Sequence, residues 1–393
     1  MLSIKAKITL KARITLACAL WAISLALPAV CGAAPRARLI FVGDIMAHAE
    51  QLDAARVGGS WDFRPQFRRV KPLFRDAFVV GNFETVLAGE ERKFTGYPMF
   101  NTPDELASAL ADLGVGLVTL ATNHIFDRKP SGAVRTAEVL EGHGIEWTGL
   151  RLPYAAPDEP KIVEYAGFRL AFVNYAYGSN TPLPASGDAE TARLNVISED
   201  AIAAAISRAR AASADIIAAC YHWGNEYQLT PTARQREIAA LSVREGADLV
   251  IGTHPHVLQP MEIISSDRGY GLVAYSLGNF VSYQRTLPRE RSVVLAVDIE
   301  KTDGGARISR VSVAPTRVSN RKPRGRRAVE IVYAGRGGRF NHAGLPANEL
   351  KMARDAGDAV LEFLGAEATP DEDGFYTLWS ADALPSGRRR PPQ

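Results

Sequence analysis

From about residue 37 the chain alternates short apolar runs with amphipathic stretches. The runs predict strands at Arg38–Val42, Ala77–Val80, Leu117–Ala121, Arg169–Asn174, Ile216–Tyr221, Asp248–Ile251 and Gly271–Tyr275. The stretches between them predict helices at Pro103–Leu113, Gly132–Glu141, Ala201–Ala212 and Pro231–Glu245, the first with Thr102 as N-cap and Pro in its first turn. Such alternation argues an α/β sheet with helices on its faces. Beyond about residue 300 the pattern weakens. Ser292–Ile299 and Ile308–Val313 read as closing strands, residues 319–327 as a basic, turn-rich run, Asn348–Leu364 as a helix and 384–393 as a loose tail.

The polar residues that interrupt this pattern fall at the ends of the apolar runs. Asp44 follows LIFVG, Asn82 and Glu84 follow FVVG, and Asn123 and His124 follow LVTLAT. His222 follows IIAACY, His254 and His256 follow LVIGT, and Asn279 follows VAYSLG. Ligands of open α/β sheets bind beyond the carboxyl ends of the strands. Six strands ending in coordinating side chains therefore predict one shared polar rim.

The first residues read as an address. Lys5, Lys7, Lys11 and Arg13 precede the uncharged stretch Ile14–Val30, and small residues follow. This order predicts a secretory signal peptide over residues 1–33 or, if it is not cleaved, an N-terminal anchor; a span wants roughly 20 apolar residues. Export to the periplasm or cell envelope follows. The segment also changes the charge. The chain is formally +3, and the four Lys/Arg of residues 1–33 leave −1 for the remainder, so nothing argues for nucleic acid. Hydrophobic residues are 47% and charged residues 23%, an ordinary globular balance. Of the cysteines at 18, 31 and 220, two lie in or beside the leader, so no internal disulfide framework is expected.

Of seven histidines, all but His143 and His342 sit shortly after a predicted strand. Imidazole and carboxylate together are the usual ligands of zinc, manganese and iron. In IGTHPHVLQP, His254 and His256 are two apart, and on extended backbone both rings face one way; Pro255 favours that conformation. The competing reading is two loop histidines that only make hydrogen bonds. His222 opens HWGNEY, where Glu226 either fixes the imidazole tautomer or caps the next segment. Asp44 is either a hard ligand or a helix N-cap. Asn82 and Glu84 are again two apart, and ATNHIFD offers Asn123 as an oxygen ligand beside His124, a candidate acid.

GDIMAH, DFRPQF, GNFETVL, TPDELASAL, ATNHIFD, HWGNEY, IGTHPHVLQP and YSLGNF, in that order, resemble the CapA family of poly-γ-glutamate capsule synthesis proteins over residues 38–300. That family is in turn similar to calcineurin-like metallophosphatases. The resemblance implies an α/β/β/α sandwich with mixed sheets over residues 34–316, followed by a C-terminal extension over 317–393. It implies one or two divalent ions (Mn, Fe or Zn) on Asp44, Glu84, Asn123, His222, His254 and His256, with His124 near the leaving group and Asn82, Glu226 and Asn279 behind the ligands. Two departures stand out. The nearest histidine after Asp44 is His48, four residues on rather than two, and the bridging-aspartate position holds Asn82, with Glu84 the nearest carboxylate. Lys129 also stands where such proteins carry Gly. The functions implied are a metal-dependent hydrolase or transferase acting on an anionic polymer or a phosphoester. The alternatives are a non-catalytic envelope scaffold, for which Arg317, Arg321, Lys322, Arg324, Arg326 and Arg327 would supply a basic edge, or a phosphoesterase unrelated to capsule. Membrane-bound polymer-synthesis proteins are the expected partners.

Overall fold

The structure, a computed structural model, describes residues 34–153, 159–184, 191–337, 340 and 342–384. The expected leader and most of the expected tail lie outside the described residues. In chain order the elements are β1 (Arg36–Ile45), α1 (Ala49–Ala55), α2 (Arg64–Phe67), β2 (Phe78–Phe83), α3 (Glu105–Leu113), β3 (Val115–Thr119), α4 (Lys129–Gly142) and β4 (Glu146–Thr148). Then come β5 (Lys161–Tyr165), β6 (Phe168–Ala176), α5 (Glu199–Ala211), β7 (Ile216–His222), α6 (Ala233–Glu245), β8 (Leu249–Thr253), β9 (Met261–Ser266) and β10 (Gly269–Ala274). The remainder is β11 (Asn279–Val281), β12 (Arg291–Thr302), β13 (Gly305–Arg321), β14 (Ala328–Tyr333), α7 (Ala347–Leu364) and β15 (Tyr376–Ser380).

Two mixed sheets result. The first runs β14-β13-β12-β1-β2-β3-β4, with β11 beside β1 and β15 beside β13. Its half from β1 to β4 is parallel, and β12 to β14 return antiparallel. The second runs β9-β10-β8-β7-β6-β5, parallel from β6 to β10 and antiparallel at both edges. Alternate residues of the two sheets share one core: Leu39, Val80 and Leu117 from the first, Phe172, Ala218 and Ile251 from the second. Phe78 meets Phe172 across that seam at 5.8 Å. The other face of the second sheet, Ala171, Val173, Ala219 and Val250, packs on Ile202 and Ile206 of α5 and Ile238 of α6. Leu106 and Leu110 of α3 and Ala133 and Leu140 of α4 pack on the first sheet. The order is helix, sheet, sheet, helix, each buried large side chain contributing about 1.5–3 kcal/mol. Helix α6 shows why these helices start and stop where they do. Thr232 and Gln235 form a capping box at its start, and Gly246 closes it in the left-handed region at φ 111°.

Three details differ from the sequence reading. Thr102 does not cap α3; its hydroxyl pairs with that of Thr85 at 2.7 Å, and the helix begins at Glu105. Strand β13 runs through residues 316 and 317, so the residues expected as a separate extension continue the first sheet through β14 and β15. The expected basic edge is largely engaged. Arg317 is buried against Glu349 at 2.9 Å, Arg321 pairs with Glu330, and Arg327 pairs with Asp53 at 3.2 Å. Among the described residues no helix is long and apolar enough to cross a membrane.

Candidate metal centre

The parallel strands deliver their last residues to one place. Asp44 at the end of β1 is in register with Asn82 on β2 and with Asn279 on β11, and His222 at the end of β7 is in register with Thr253 on β8. Asp44, Glu84, Asn123, His222, His254 and His256 are all buried there. Donor atoms of Glu84, His254 and His256 lie within 4.8 Å of one another, and so do those of Asp44, Glu84 and His222. Glu84 is common to both groups.

Hydrogen bonds settle which imidazole nitrogen faces inward. The Asn279 amide nitrogen donates to the carbonyls of His256 and Arg289, so its oxygen turns to His256 Nδ1 at 3.0 Å. Asp44 Oδ2 lies 3.1 Å from the same nitrogen. His256 therefore carries its proton on Nδ1 and aims Nε2 at Glu84, 3.8 Å away. The Thr253 hydroxyl donates to the Tyr221 carbonyl and accepts from His222 Nδ1 at 3.1 Å. His222 Nε2 then faces Asn123 Oδ1 at 2.8 Å and Glu84 Oε1 at 3.4 Å.

The residues fit a cation on a direct test. Both carboxylate oxygens of Glu84, fully buried, have no hydrogen-bond partner, and neither does His254 Nδ1. An unpaired buried carboxylate costs several kcal/mol unless a positive charge neutralises it. Two carboxylates, three imidazoles and one amide oxygen are the donor mixture suited to manganese, iron or zinc.

The electrostatics point the same way. Burial, reinforced by the neighbouring Asp44, pushes the Glu84 carboxyl well above the usual range. Burial also acts upward on Asp44, but the hydrogen bond and charge of His256 outweigh it and hold Asp44 low. Burial pulls His222 down to about 3 and His254 well below its ordinary value. His256 goes the other way, to about 9, because Glu84 and Asp44 overcome its burial.

The remaining expected residues take other places. The Asn82 amide nitrogen donates to Asp44 at 2.8 Å while its oxygen accepts from Thr119, so Asn82 braces Asp44. His124 stands one step out, with Nδ1 on Asp127 at 2.8 Å and Nε2 3.4 Å from the Asn180 amide. Glu226 is exposed and does not fix the His222 tautomer; Thr253 does. His48 is in neither donor group, and its Nδ1 accepts from the Tyr283 amide. The reason for the convergence of His254 and His256 is also different. Their backbones are left-handed, φ 93° and 57°, so the turn aims the rings rather than strand alternation. Sequence reasoning missed Thr119, Thr253 and Tyr177, whose ring lies 4.7 Å from that of His254. Hydroxyl and tyrosine side chains at strand ends are common, and only the fold shows which of them face the cluster.

These observations define a mixed α/β protein with a buried histidine–carboxylate cluster at the carboxyl ends of its strands. The chain belongs to the bacterial capsule synthesis protein family PGA_cap, whose model matches residues 38–284. It is 28% identical to the PGA biosynthesis protein CapA of Bacillus subtilis (strain 168) over 299 residues, 72% of either chain. It is 26% identical to the capsule biosynthesis protein CapA of Bacillus anthracis over 298 residues, 73% of this chain and 68% of that one. Among solved structures it is similar to the NAD nucleotidase of Haemophilus influenzae (TM-score 0.46, 13% identity, 82% of this chain and 63% of that one). A 5′-nucleotidase precursor from Thermus thermophilus gives TM-score 0.42 and 15% identity over 83% of this chain and 58% of that one. The chain thus spans less than two thirds of either nucleotidase.

Proposed function

We propose that this protein is an exported, divalent-metal-dependent hydrolase or transferase of capsule polymer biosynthesis. The observation that carries the reading is Glu84, whose two unpartnered, buried oxygens lie among the inward nitrogens of His222, His254 and His256. Asp44, Glu84, Asn123, His222, His254 and His256 would hold one or two ions. When bound, a divalent cation supplies Lewis acidity that polarises a phosphoryl or carbonyl oxygen. Asn279 and Thr253 keep the His256 and His222 lone pairs turned inward. Asp127 fixes His124 through Nδ1, leaving Nε2 to hold or give a proton to a departing group. The substrate class is an anionic polymer or a phosphoester, and the expected neighbours are membrane-bound polymer-synthesis proteins. Turnover of p-nitrophenyl phosphate and of a γ-linked glutamate oligomer by the manganese-loaded protein tests this. His124→Ala should lower turnover about 10²–10⁴-fold while the metal content is retained. Turnover of either substrate that is indifferent to chelation and to His124→Ala would overturn it.

A further inference from the structure

Three exposed tyrosine rings lie against the buried cluster. Tyr97 edges onto His124 at 6.4 Å, while Tyr177 lies tilted against His254 at 4.7 Å and Tyr227 against His256 at 6.1 Å between ring centroids. Tyr227 carries a cation: the Arg289 guanidinium lies 3.3 Å from its ring centroid. Nearby arginines are spent on carboxylates, Arg291 on Glu290 and Arg317 on Glu349 and Glu290. Among the described residues Arg289 has no carboxylate partner.

Both members of this pair are tied to the cluster through their backbones. The Arg289 carbonyl accepts from the Asn279 amide at 3.0 Å, and Asn279 reaches His256 Nδ1. The Tyr227 N–H donates at 2.7 Å to the carbonyl of Pro255, the residue between the two histidines. A guanidinium stacked on an aromatic face keeps its N–H edges free, is weakly hydrated and loses little freedom on binding. Those edges match the two oxygens of a carboxylate or phosphate.

We infer that Arg289, braced on Tyr227, is a specificity-determining contact for an oxyanion group, carboxylate or phosphate, on the substrate handled at the adjoining cluster. The inference rests on the proposed metal centre for its substrate but not for its anion chemistry. Glu226, exposed and next in sequence to Tyr227, sets a negative charge beside the subsite and weakens it.

The test is calorimetric titration of the manganese-loaded full chain with inorganic phosphate and, separately, with glutarate, on the parent, Arg289→Ala, Arg289→Lys and Glu226→Gln. Arg289→Ala should bind the preferred anion at least ten-fold more weakly with parental manganese content. Arg289→Lys should recover part of the loss, and Glu226→Gln should bind more tightly than the parent. Which anion responds tells carboxylate from phosphate. Parental affinity of Arg289→Ala for both anions, or a parent that binds neither, overturns the inference. A parent without manganese sinks the proposed centre alone. The same titrations on metal-free protein then decide Arg289: loss of binding in Arg289→Ala supports it, and equal binding overturns it.

Discussion

In the metal-free cluster the Glu84–His256 pair holds a proton that a divalent ion must displace. Burial and Asp44 raise Glu84, and Glu84 with Asp44 raises His256 to about 9 against the pull of burial. The sign follows from linkage. A group whose folded value lies above its unfolded one stabilises fully below the unfolded value and loses that contribution as pH rises through the folded one. His256 alone should therefore cost the metal-free protein on the order of 3 kcal/mol of stability as pH rises from about 6.5 to 9. Metal affinity should rise over the same window, because fewer protons remain to be expelled. Thermal unfolding with and without manganese at several pH values checks both: the gap in Tm should widen as pH rises, and a constant gap would contradict the assignment. Glu84→Gln, which keeps the shape and removes the charge, should lower metal affinity at least ten-fold with little loss of metal-free stability.

At the scale of elements, the strand ends work because small residues let chain segments meet. A Cβ on Gly43 would stand 1.8 Å from the Gly278 carbonyl oxygen, and one on Gly252 would stand 2.0 Å from that of Tyr275. Gly43 precedes Asp44, Gly278 precedes Asn279, and Gly252 lies two before His254, so each close approach sets a site residue. Gly43→Ala should cost about 1–3 kcal/mol and reduce metal content, as denaturant unfolding and metal analysis would show. This also explains what was legible beforehand. Strands β1, β3, β7 and β8, which lead to Asp44, Asn123, His222 and His254, are apolar runs, and runs of that kind announce both the element and the polar residues that follow it. Strand β11 has three residues and β9 is half-exposed, so neither carries a strong period. Pro255 favours an extended turn at His254 and His256, but tertiary packing imposes positive φ there instead. Glu226, near His222 in sequence, suits either a tautomer partner or a cap, but the adjacent strand places Thr253 at that nitrogen.

Across the whole molecule, the two sheets share one core, and Val329 and Ile331 of β14, Val360 of α7 and Tyr376 of β15 belong to it rather than to an appendage. Arg317 on β13 and Glu349 on α7 make a buried ion pair, and the Ser319 hydroxyl also donates to Glu349 at 2.7 Å. Arg317→Ala leaves Glu349 and Glu290 without that cation and should destabilise by about 3–5 kcal/mol. Denaturant unfolding should show one transition shifted to a lower midpoint with its slope unchanged; a separate early transition would mean that α7 and β15 fold apart from the sheets. The proposed cation would be held between the two sheets by residues that lie up to 212 positions apart, such as Asp44 and His256. Its most direct test is the metal content of protein purified without chelators, measured by mass spectrometry for the parent, His222→Ala and His254→Ala. One or two equivalents of manganese, iron or zinc in the parent, falling sharply in both variants whose folds are intact by circular dichroism, is the predicted result. A parent with no stoichiometric metal, or variants that keep it, would contradict the central claim.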